Sequence, residues 1–339
     1  MPFINEILKY DSLSIVGLEK NVGKTECLNY ILSRLPLDNI NVAVTSIGID
    51  GENKDQVTST KKPEIFLREG MYFSTAESHY KERRLVSELV EITDERSSLG
   101  RILTAKVSVG GKALISGPSS GVSLRRWVAG VQKFGIDLSI IDGAISRLSS
   151  ASPAISKAMV LSTGAAFSSN INTLVQKTKF VVEMIGLPKL DDVTKEALCD
   201  IESGVWGVDF EDNIIDFKLT SALALSSLKS DITQGMRLIF TVGALTDKLL
   251  NMVSNSKNVK DVTLVVKDFT KIFVTEQCYR VFCARGGKIK VLQKSKLIAV
   301  CVNPTAPNGY VLDSDILCGK LQDALGLPVY DIVKNKYDI

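Results

Sequence analysis

Short apolar runs alternate with longer amphipathic stretches along the first half of the chain. The amphipathic stretches have helical spacing at KTECLNYILSRL (24–35), SHYKERRLVSELVEI (78–92), VSLRRWVAGVQKFG (122–135) and SSNINTLVQKTKFVVEMIG (168–186). The apolar runs are nearly continuous, which is typical of strands covered on both faces: SLSIVGL (12–18), NVAVTSIGI (41–49), RILTAKV (101–107), KALISGP (112–118), LSIIDGA (138–144) and AMVLSTGA (158–165). This alternation predicts an α/β fold, with a mostly parallel sheet and helices on both faces.

Two segments do not follow this alternation of predicted strands and helices. PEIFLREGMYFSTAE (63–77) predicts two short strands that turn at Glu69-Gly70, forming an edge hairpin. After residue 186 the apolar runs become shorter and lose their glycine-rich ends, so residues 187–190 are predicted to be a linker. The expected domains are therefore 1–186 and a smaller α/β domain at 191–339. The second is expected to end in a helix at 313–326, with Asp313 or Ser314 as the N-cap, followed by a strand.

Length and charge narrow the classes of protein. The chain has 339 residues, beyond the roughly 250–300 at which single cores stop growing, which favours two domains. Its net charge of +3 is too small to indicate a nucleic-acid surface. No apolar run approaches the ~20 residues of a membrane span, and the amino terminus has no signal-peptide pattern. We therefore expect a cytoplasmic protein that binds neither nucleic acid nor membrane.

Cysteine and histidine do not form a recognisable metal pattern. The six cysteines include no C-x-x-C pair, and the single histidine, His79, cannot complete a zinc site with them. The thiols are expected to be buried or to have no chemical function. His79 is expected to be a surface side chain without a catalytic role.

The main chemical signal is GLEKNVGKT at residues 17–25, between a predicted strand and a predicted helix. This context is the one that a phosphate-binding P-loop requires. Lys24 is expected to contact the β and γ phosphates, and Thr25 to hold Mg²⁺. The alternative is a chance G-K-T at a helix start. The predicted nucleotide-binding residues are Gly17, Glu19, Lys20, Asn21, Val22, Gly23, Lys24, Thr25 and Glu26.

Acidic residues follow two other predicted strands. Asp142 ends the run LSIIDGA, the place of a Walker B acid, although an Asp before Gly143 could equally start a turn. Asp50 follows the second predicted strand and is a candidate to hold Mg²⁺ or to position water. Thr25, Asp50 and Asp142 are thus the predicted metal ligands, and Lys24, Asp50 and Asp142 the predicted catalytic residues. We expect the nucleotide to be ATP rather than GTP.

The spacing of the loop resembles that of a known class. A standard loop has glycine where Leu18 stands, and Gly17 comes one residue earlier. With five residues between its glycines and an acid in third position, the loop is similar to that of dethiobiotin synthetase, a SIMIBI-class P-loop enzyme. The signature lysine of many SIMIBI proteins would fall at Glu19, and Lys20 is one position later.

Seven short sequence segments, spread over most of the chain, form a second pattern. They are GLEKNVGKT (17–25), TSIGIDGE (45–52), TKKPEIFLREGMYFSTAE (60–77), ISGPSS (115–120), DGAISRLSSASPA (142–154), VLSTGAA (160–166) and NPTAPNGY (303–310). Together they resemble the lysine 5,6-aminomutase reactivase subunit family. The resemblance implies an ATP-dependent factor that reactivates an adenosylcobalamin-dependent aminomutase together with a MutS-related companion subunit. A homodimer is compatible with it.

Two other functions stay open at this point. The loop spacing is equally compatible with an ATP-dependent small-molecule synthetase or kinase of the dethiobiotin synthetase type. A non-enzymatic module that holds nucleotide for stability alone is the third interpretation.

Overall fold

The computed structural model describes residues 3–47, 65–144, 152–219 and 232–334. The chain divides into two compact units, Met1–Lys179 with Ser295–Ile339, and Phe180–Lys294. The chain therefore leaves the first unit and later returns to it, whereas the sequence pattern predicted a single linker between two domains, at residues 187–190. The difference arises because the last two strands extend the large sheet of the first unit.

The elements are numbered along the whole chain. The strands are β1 Ser12–Gly17, β2 Val42–Ser46, β3 Ile65–Leu67, β4 Tyr72–Ala76, β5 Arg84–Ser97, β6 Gly100–Ala113, β7 Leu138–Ala144, β8 Ala158–Gly164, β9 Val205–Asp209, β10 Ile214–Leu219, β11 Met236–Thr241, β12 Leu245–Thr246, β13 Thr263–Val266, β14 Ile272–Phe273, β15 Lys288–Val291, β16 Lys296–Asn303 and β17 Val329–Asp331. The α-helices are α1 Phe3–Ile7, α2 Lys24–Arg34, α3 Glu77–Glu82, α4 Gly121–Val131, α5 Ile171–Gly186, α6 Asp192–Cys199, α7 Asp247–Ser254, α8 Glu276–Ala284 and α9 Ser314–Leu325.

The first unit is built on one large sheet. Within the described residues its strands follow the order β17-β16-β8-β1-β7-β2-β4-β6, and β3 and β5 also pair with β6. Every neighbouring pair from β17 to β4 is parallel, and β6 is antiparallel to β3, β4 and β5. The predicted α/β architecture is thus confirmed, with a sheet that is mixed.

Helices cover both faces of the parallel part. Val42 and Val44 of β2 belong to a buried cluster that includes α1 and α2. Ala43, between them in sequence, packs on the opposite face with Trp127 of α4. Strand residues alternate between the faces of a sheet, so the continuous apolar run that predicts β2 is explained by burial on both sides.

The antiparallel part corrects three predictions. The helix predicted over 78–92 is wrong, since α3 ends at Glu82 and most of the segment is strand β5. Part of the cause is a β-bulge at Val90 of β5, which leaves Leu89 and Ile92 three residues apart and imitates a helical pattern. The strand predicted at 101–107 belongs to the longer strand β6, which also takes in the first two residues of the strand predicted at 112–118, whereas residues 114–118 form no strand.

The predicted hairpin at 63–77 is the third error. Both strands form, but they do not pair with each other: β3 and β4 lie end to end along β6, in one register that places Leu67 opposite Gly111 and Tyr72 opposite Lys106. The hairpin in this region is instead β5–β6.

The second unit carries a smaller sheet in the order β10-β9-β11-β13-β15. β9 is antiparallel to both neighbours, and β11, β13 and β15 are parallel. Phe240, Leu238 and Val265 form its core with Leu198 of α6. Among the described residues of the chain, no helix is long and apolar enough to cross a membrane.

Candidate functional site

The GLEKNVGKT segment connects β1 to α2 at the carboxyl edge of the parallel strands. β1 ends at Gly17 and α2 begins at Lys24. The Cys27 N–H donates to the Gly23 carbonyl at 2.9 Å, so the N–H groups of Lys24, Thr25 and Glu26 belong to the open first turn. This end of a helix carries partial positive charge and is suited to anions.

Glycine at position 23 shapes the start of α2. Its φ is +86°, and a Cβ there would lie 2.8 Å from Asn303 Cβ and 3.0 Å from Ile332 Cδ1. Asn21 also has positive φ, at 63°. Both residues use left-handed conformations that glycine and asparagine adopt more readily than most residues.

The unusual first part of the loop has a packing explanation. Leu18, where a standard loop has glycine, is buried, and its N–H donates to the Ser162 carbonyl of β8 at 2.9 Å. Val22 is buried as well, and its Cγ2 lies 3.0 Å from where a Cβ of Gly17 would be. Val22, predicted to bind nucleotide, can therefore contribute only through its backbone.

The polar residues of the loop and of the first turn of α2 differ in exposure and in hydrogen bonding. Glu19, Lys20 and Asn21 are exposed, and Glu19 Oε1 accepts the Lys20 N–H at 2.9 Å. The Glu19 carboxylate is thus turned back on its own loop. Thr25 and Glu26, in the first turn of α2, are half-buried.

Asp142 and Lys24 are brought together by the sheet. In β7, Asp142 lies between Ile15 of β1 and Ser46 of β2. Its Oδ1 is 3.1 Å from Lys24 Nζ, and the two side chains are 14% and 21% exposed. Apart from this ion pair, the buried Oδ1 has no partner in hydrogen-bond geometry. Partial burial strengthens the attraction relative to a surface pair.

The residues present fit a magnesium ion in part. Asp142 supplies a buried carboxylate oxygen in β7, and Thr25 supplies a hydroxyl in the first turn of α2. Both are hard oxygen donors of the kind that Mg²⁺ prefers. Asp50, the third predicted ligand, lies outside the described residues. Within the described part of the chain, no group of three or more His, Cys, Asp or Glu side chains could hold a metal.

Asn303 is a site residue that the sequence analysis did not single out. It ends β16 beside β8, and its carbonyl accepts the Ala165 N–H at 2.9 Å. A Cβ at Gly164 would lie 2.0 Å from this carbonyl oxygen, and a Cβ at Gly23 would meet the Asn303 side chain. The available signal was an asparagine directly after the buried run KLIAVCV, at the edge where ligands of parallel sheets bind.

A hydrogen-bonded network of buried polar side chains links β2, β4, α3 and the segment after β6. His79 Nδ1 and Ser116 Oγ are 2.6 Å apart, Ser74 Oγ donates to the Ser116 carbonyl at 2.6 Å, and Thr45 Oγ1 is 2.6 Å from Ser74 Oγ. His79 is buried, so its expected surface position is wrong. The network fixes β2 against the segment after β6, where Ser120 caps α4 by accepting the Ser123 N–H.

Comparison with known proteins identifies no relative of this chain. No protein-family model, curated protein or solved structure matches the chain.

Proposed function

We propose that the chain binds and hydrolyses a nucleoside triphosphate with Mg²⁺ at the GLEKNVGKT loop. The observation that carries the proposal is the Lys24–Asp142 ion pair, 3.1 Å long, beside the open N-terminus of α2. The carboxyl edge of the sheet thus brings together a lysine that can bind phosphate, a carboxylate that can bind metal, and the N-terminus of α2.

Lys24 has two competing anionic partners in this mechanism. One partner is Asp142, which lies 3.1 Å from Lys24 Nζ. With nucleotide, Lys24 would turn to the β and γ phosphate oxygens, and the N–H groups of Lys24, Thr25 and Glu26 would hold the phosphates. Asp142 and Thr25 would then hold Mg²⁺, which neutralises charge that develops on the phosphates. The chain's own contribution is positioning and electrostatic stabilisation.

We further propose that ATP is the nucleotide and that hydrolysis serves a protein partner. The similarity of the loop to that of dethiobiotin synthetase, an ATP-dependent enzyme, supports ATP. The phrases shared with the aminomutase reactivase subunit family support a reactivating, chaperone-like ATPase that acts on an adenosylcobalamin-dependent aminomutase with a MutS-related companion subunit. ATP binding would bias the factor between two conformations, and the partner would be held open in one of them.

The alternative is an ATP-dependent small-molecule synthetase or kinase of the dethiobiotin synthetase type. The observation that favours it is Glu19, an exposed acid whose backbone neighbours form the phosphate loop. In that case Glu19 would release the Lys20 N–H and help to place Mg²⁺ or substrate.

The decisive variant is Asp142→Asn. It preserves the size of the side chain but removes the charge needed for Mg²⁺, so hydrolysis should fall by roughly 10²-fold, while ATP affinity measured by calorimetry changes much less. Lys24→Ala should reduce both. The matched control is Asp137→Asn, at the opposite end of β7, where the carboxylate accepts the Asn41 N–H and an amide oxygen can do the same. Unchanged hydrolysis in Asp142→Asn would refute the assignment.

The rate of ATP hydrolysis, measured with and without the aminomutase, tests the proposed protein partner. For a reactivating ATPase, slow basal hydrolysis should rise when the aminomutase is added, and Asp142→Asn should abolish the increase. Equal turnover with and without aminomutase, together with ATP consumption that matches formation of a phosphorylated or cyclised metabolite, would support the alternative instead.

A further inference from the structure

A cavity of about 350 Å³ lies within the first unit, between strand β5 and helix α4. Four residues of α4 line it at the spacing of one helical face, namely Ser123, Arg126, Trp127 and Gly130. Gly130 contributes no side chain, and nothing lies within 4 Å of its Cβ position, so the cavity stays open at this point. The volume is at the lower end of the range for small-molecule sites, about 300–1,000 Å³.

An irregular part of β5 forms the other wall of the cavity. Between two regular pairs of the β5–β6 hairpin, β5 has three residues, Thr93, Asp94 and Glu95, where β6 has only Ile102. All three residues line the cavity. The Thr93 hydroxyl donates to the Ile102 carbonyl at 2.9 Å and holds this arrangement. Successive side chains of a regular strand point to opposite faces, so the bulge is what brings neighbouring residues to one cavity. Bulges that redirect side chains in this way are frequent beside functional sites.

Trp127 gives the cavity an aromatic wall of fixed orientation. The residue is 5% exposed, and its Nε1–H donates to the Thr104 hydroxyl at 3.0 Å. The polar atom of the indole already has its partner, so the ring presents carbon surface to the cavity. Such a wall suits an aliphatic chain, and an ammonium group near the ring face gains a cation–π attraction.

The charged groups around the cavity are not paired with one another. Glu91 is neutralised by an ion pair with Lys133. Within the described chain, no ion pair engages Asp94, Glu95 or Arg126. This set of two carboxylates and one guanidinium has a net charge of −1, and its neighbouring carboxylates repel each other. A ligand with two ammonium groups and one carboxylate complements it, because an arginine fork binds a carboxylate in bidentate geometry.

We propose that this cavity binds a free basic amino acid, whose two ammonium groups and one carboxylate match the unpaired charges. The ligand carboxylate pairs with Arg126, and its ammonium groups pair with Asp94 and Glu95. The aliphatic chain between these groups lies along Trp127. The site is independent of the proposed nucleotide chemistry, because neither the phosphate loop nor Asp142 lines the cavity.

Calorimetry on the full chain tests the class of ligand, with L-lysine and L-ornithine as probes. At least one of them should bind saturably. Norleucine lacks the side-chain ammonium group and cadaverine lacks the carboxylate, so each should bind about tenfold more weakly than L-lysine or less, because one charge-assisted hydrogen bond is lost. Failure of both probes to bind, or an analogue that binds as tightly as the better probe, would overturn the proposal.

Variants of α4 test whether binding occurs in this cavity. Gly130→Leu should abolish binding of the better probe, because the new side chain fills the open space, and the chain should still show its thermal transition, since glycine is unfavourable within a helix. The matched control is Ala129→Leu, at an exposed position of α4 that does not line the cavity. It should leave the affinity unchanged.

Arg126→Gln separates binding of the carboxylate from a general effect on the fold. It should reduce affinity for the better probe about tenfold and leave affinity for cadaverine unchanged, because cadaverine has no carboxylate to lose. Arg125→Gln, next to it and outside the cavity lining, is the control and should change neither affinity. Unchanged binding in Gly130→Leu, or equal effects of the two arginine variants, would show that the cavity is not the site.

Discussion

At the residue scale, the phosphate loop depends on a backbone conformation and on the space beside it. Gly23 has φ of +86°, and its missing side chain leaves room for Asn303 and Ile332 from the end of the chain. The two requirements are separate: the first concerns the local backbone, and the second concerns the packing of β16 against α2. Both must be met before Lys24 can face Asp142.

Gly23→Ala is therefore expected to destabilise the first unit. The left-handed conformation alone costs an L-residue about 1–2 kcal/mol, and the 2.8 Å approach to Asn303 adds to this. Denaturation followed by Trp127 fluorescence in a Trp206→Phe background would isolate this unit. Gly319→Ala is the matched control, since Gly319 lies in α9 with nothing within 4 Å of its Cβ position. The control should gain about 0.5–1 kcal/mol, and a loss of equal size in both variants would contradict the explanation.

A second residue-scale prediction concerns acid stability in the second unit. The side-chain amide and backbone N–H of Asn213, with the Glu211 N–H, hydrogen-bond the Asp209 carboxylate and lower its pKa. Because the folded pKa lies below the unfolded value of about 3.9, this stabilisation is present above that pH. It is lost as the pH falls through the folded pKa.

The wild-type chain should therefore lose more stability than Asp209→Asn between about pH 6 and the folded pKa of Asp209. Trp206 fluorescence in a Trp127→Phe background would report unfolding of the unit that contains Asp209. Asn213→Ala should reduce the same pH dependence, because it removes the largest cause of the lowered pKa. Identical pH profiles in the wild type and Asp209→Asn would rule out this role.

At the element scale, α9 has clear boundaries. Asp313 Oδ1 accepts the Ile316 N–H at 2.9 Å, and Gly326 ends the helix with φ of +61°. Asp313→Ala should destabilise the first unit by about 1 kcal/mol, since an N–H of the first turn loses its acceptor. Asp323→Ala, in the last turn of the same helix, is the control and should not destabilise, because a carboxylate there opposes the helix dipole. Equal losses would argue against capping.

How far the elements are predictable depends on how each sequence pattern arises. β1, β2, β7 and β8 are buried on both faces, and their apolar runs predict them within a few residues. The segment of β5 resembles a helix in sequence partly because a bulge at Val90 interrupts the two-residue period and separates Leu89 from Ile92 by three. The end-to-end arrangement of β3 and β4 could not be predicted, because it depends on pairing with β6, whose sequence lies farther along the chain.

In the candidate site, too, residues in local sequence motifs could be predicted, and a residue placed by long-range strand pairing could not. Lys24 and Asp142 were both predicted, since each follows a recognisable local pattern, and their 3.1 Å contact results from parallel pairing of β1 with β7. Asn303 was missed as a site residue because its place beside Gly23 requires β16 to join the sheet next to β8. That pairing joins segments more than a hundred residues apart, which no local pattern encodes.

At the scale of the whole molecule, the first unit is discontinuous. Residues 295–339 add β16, α9 and β17 to the sheet edge beside β8, and they place Asn303 and Ile332 against the start of α2. Cys301 Sγ of β16 also lies 3.2 Å from Cys27 Sγ of α2, both fully buried. The nucleotide loop thus packs directly against the last part of the chain.

This arrangement predicts that residues 1–186 do not fold alone. Without β16, the Ala158–Gly164 strand becomes an open apolar edge, and the side chains that border Gly23 are missing. The fragment should lack a cooperative thermal transition and the near-ultraviolet signal of Trp127. Coexpression of 295–339 as a separate chain should restore both, because it returns β16 to its place, whereas coexpression of 180–294 should not. A cooperatively folded fragment 1–186, with Trp127 in its native environment, would instead support the boundary that the sequence pattern placed at residues 187–190.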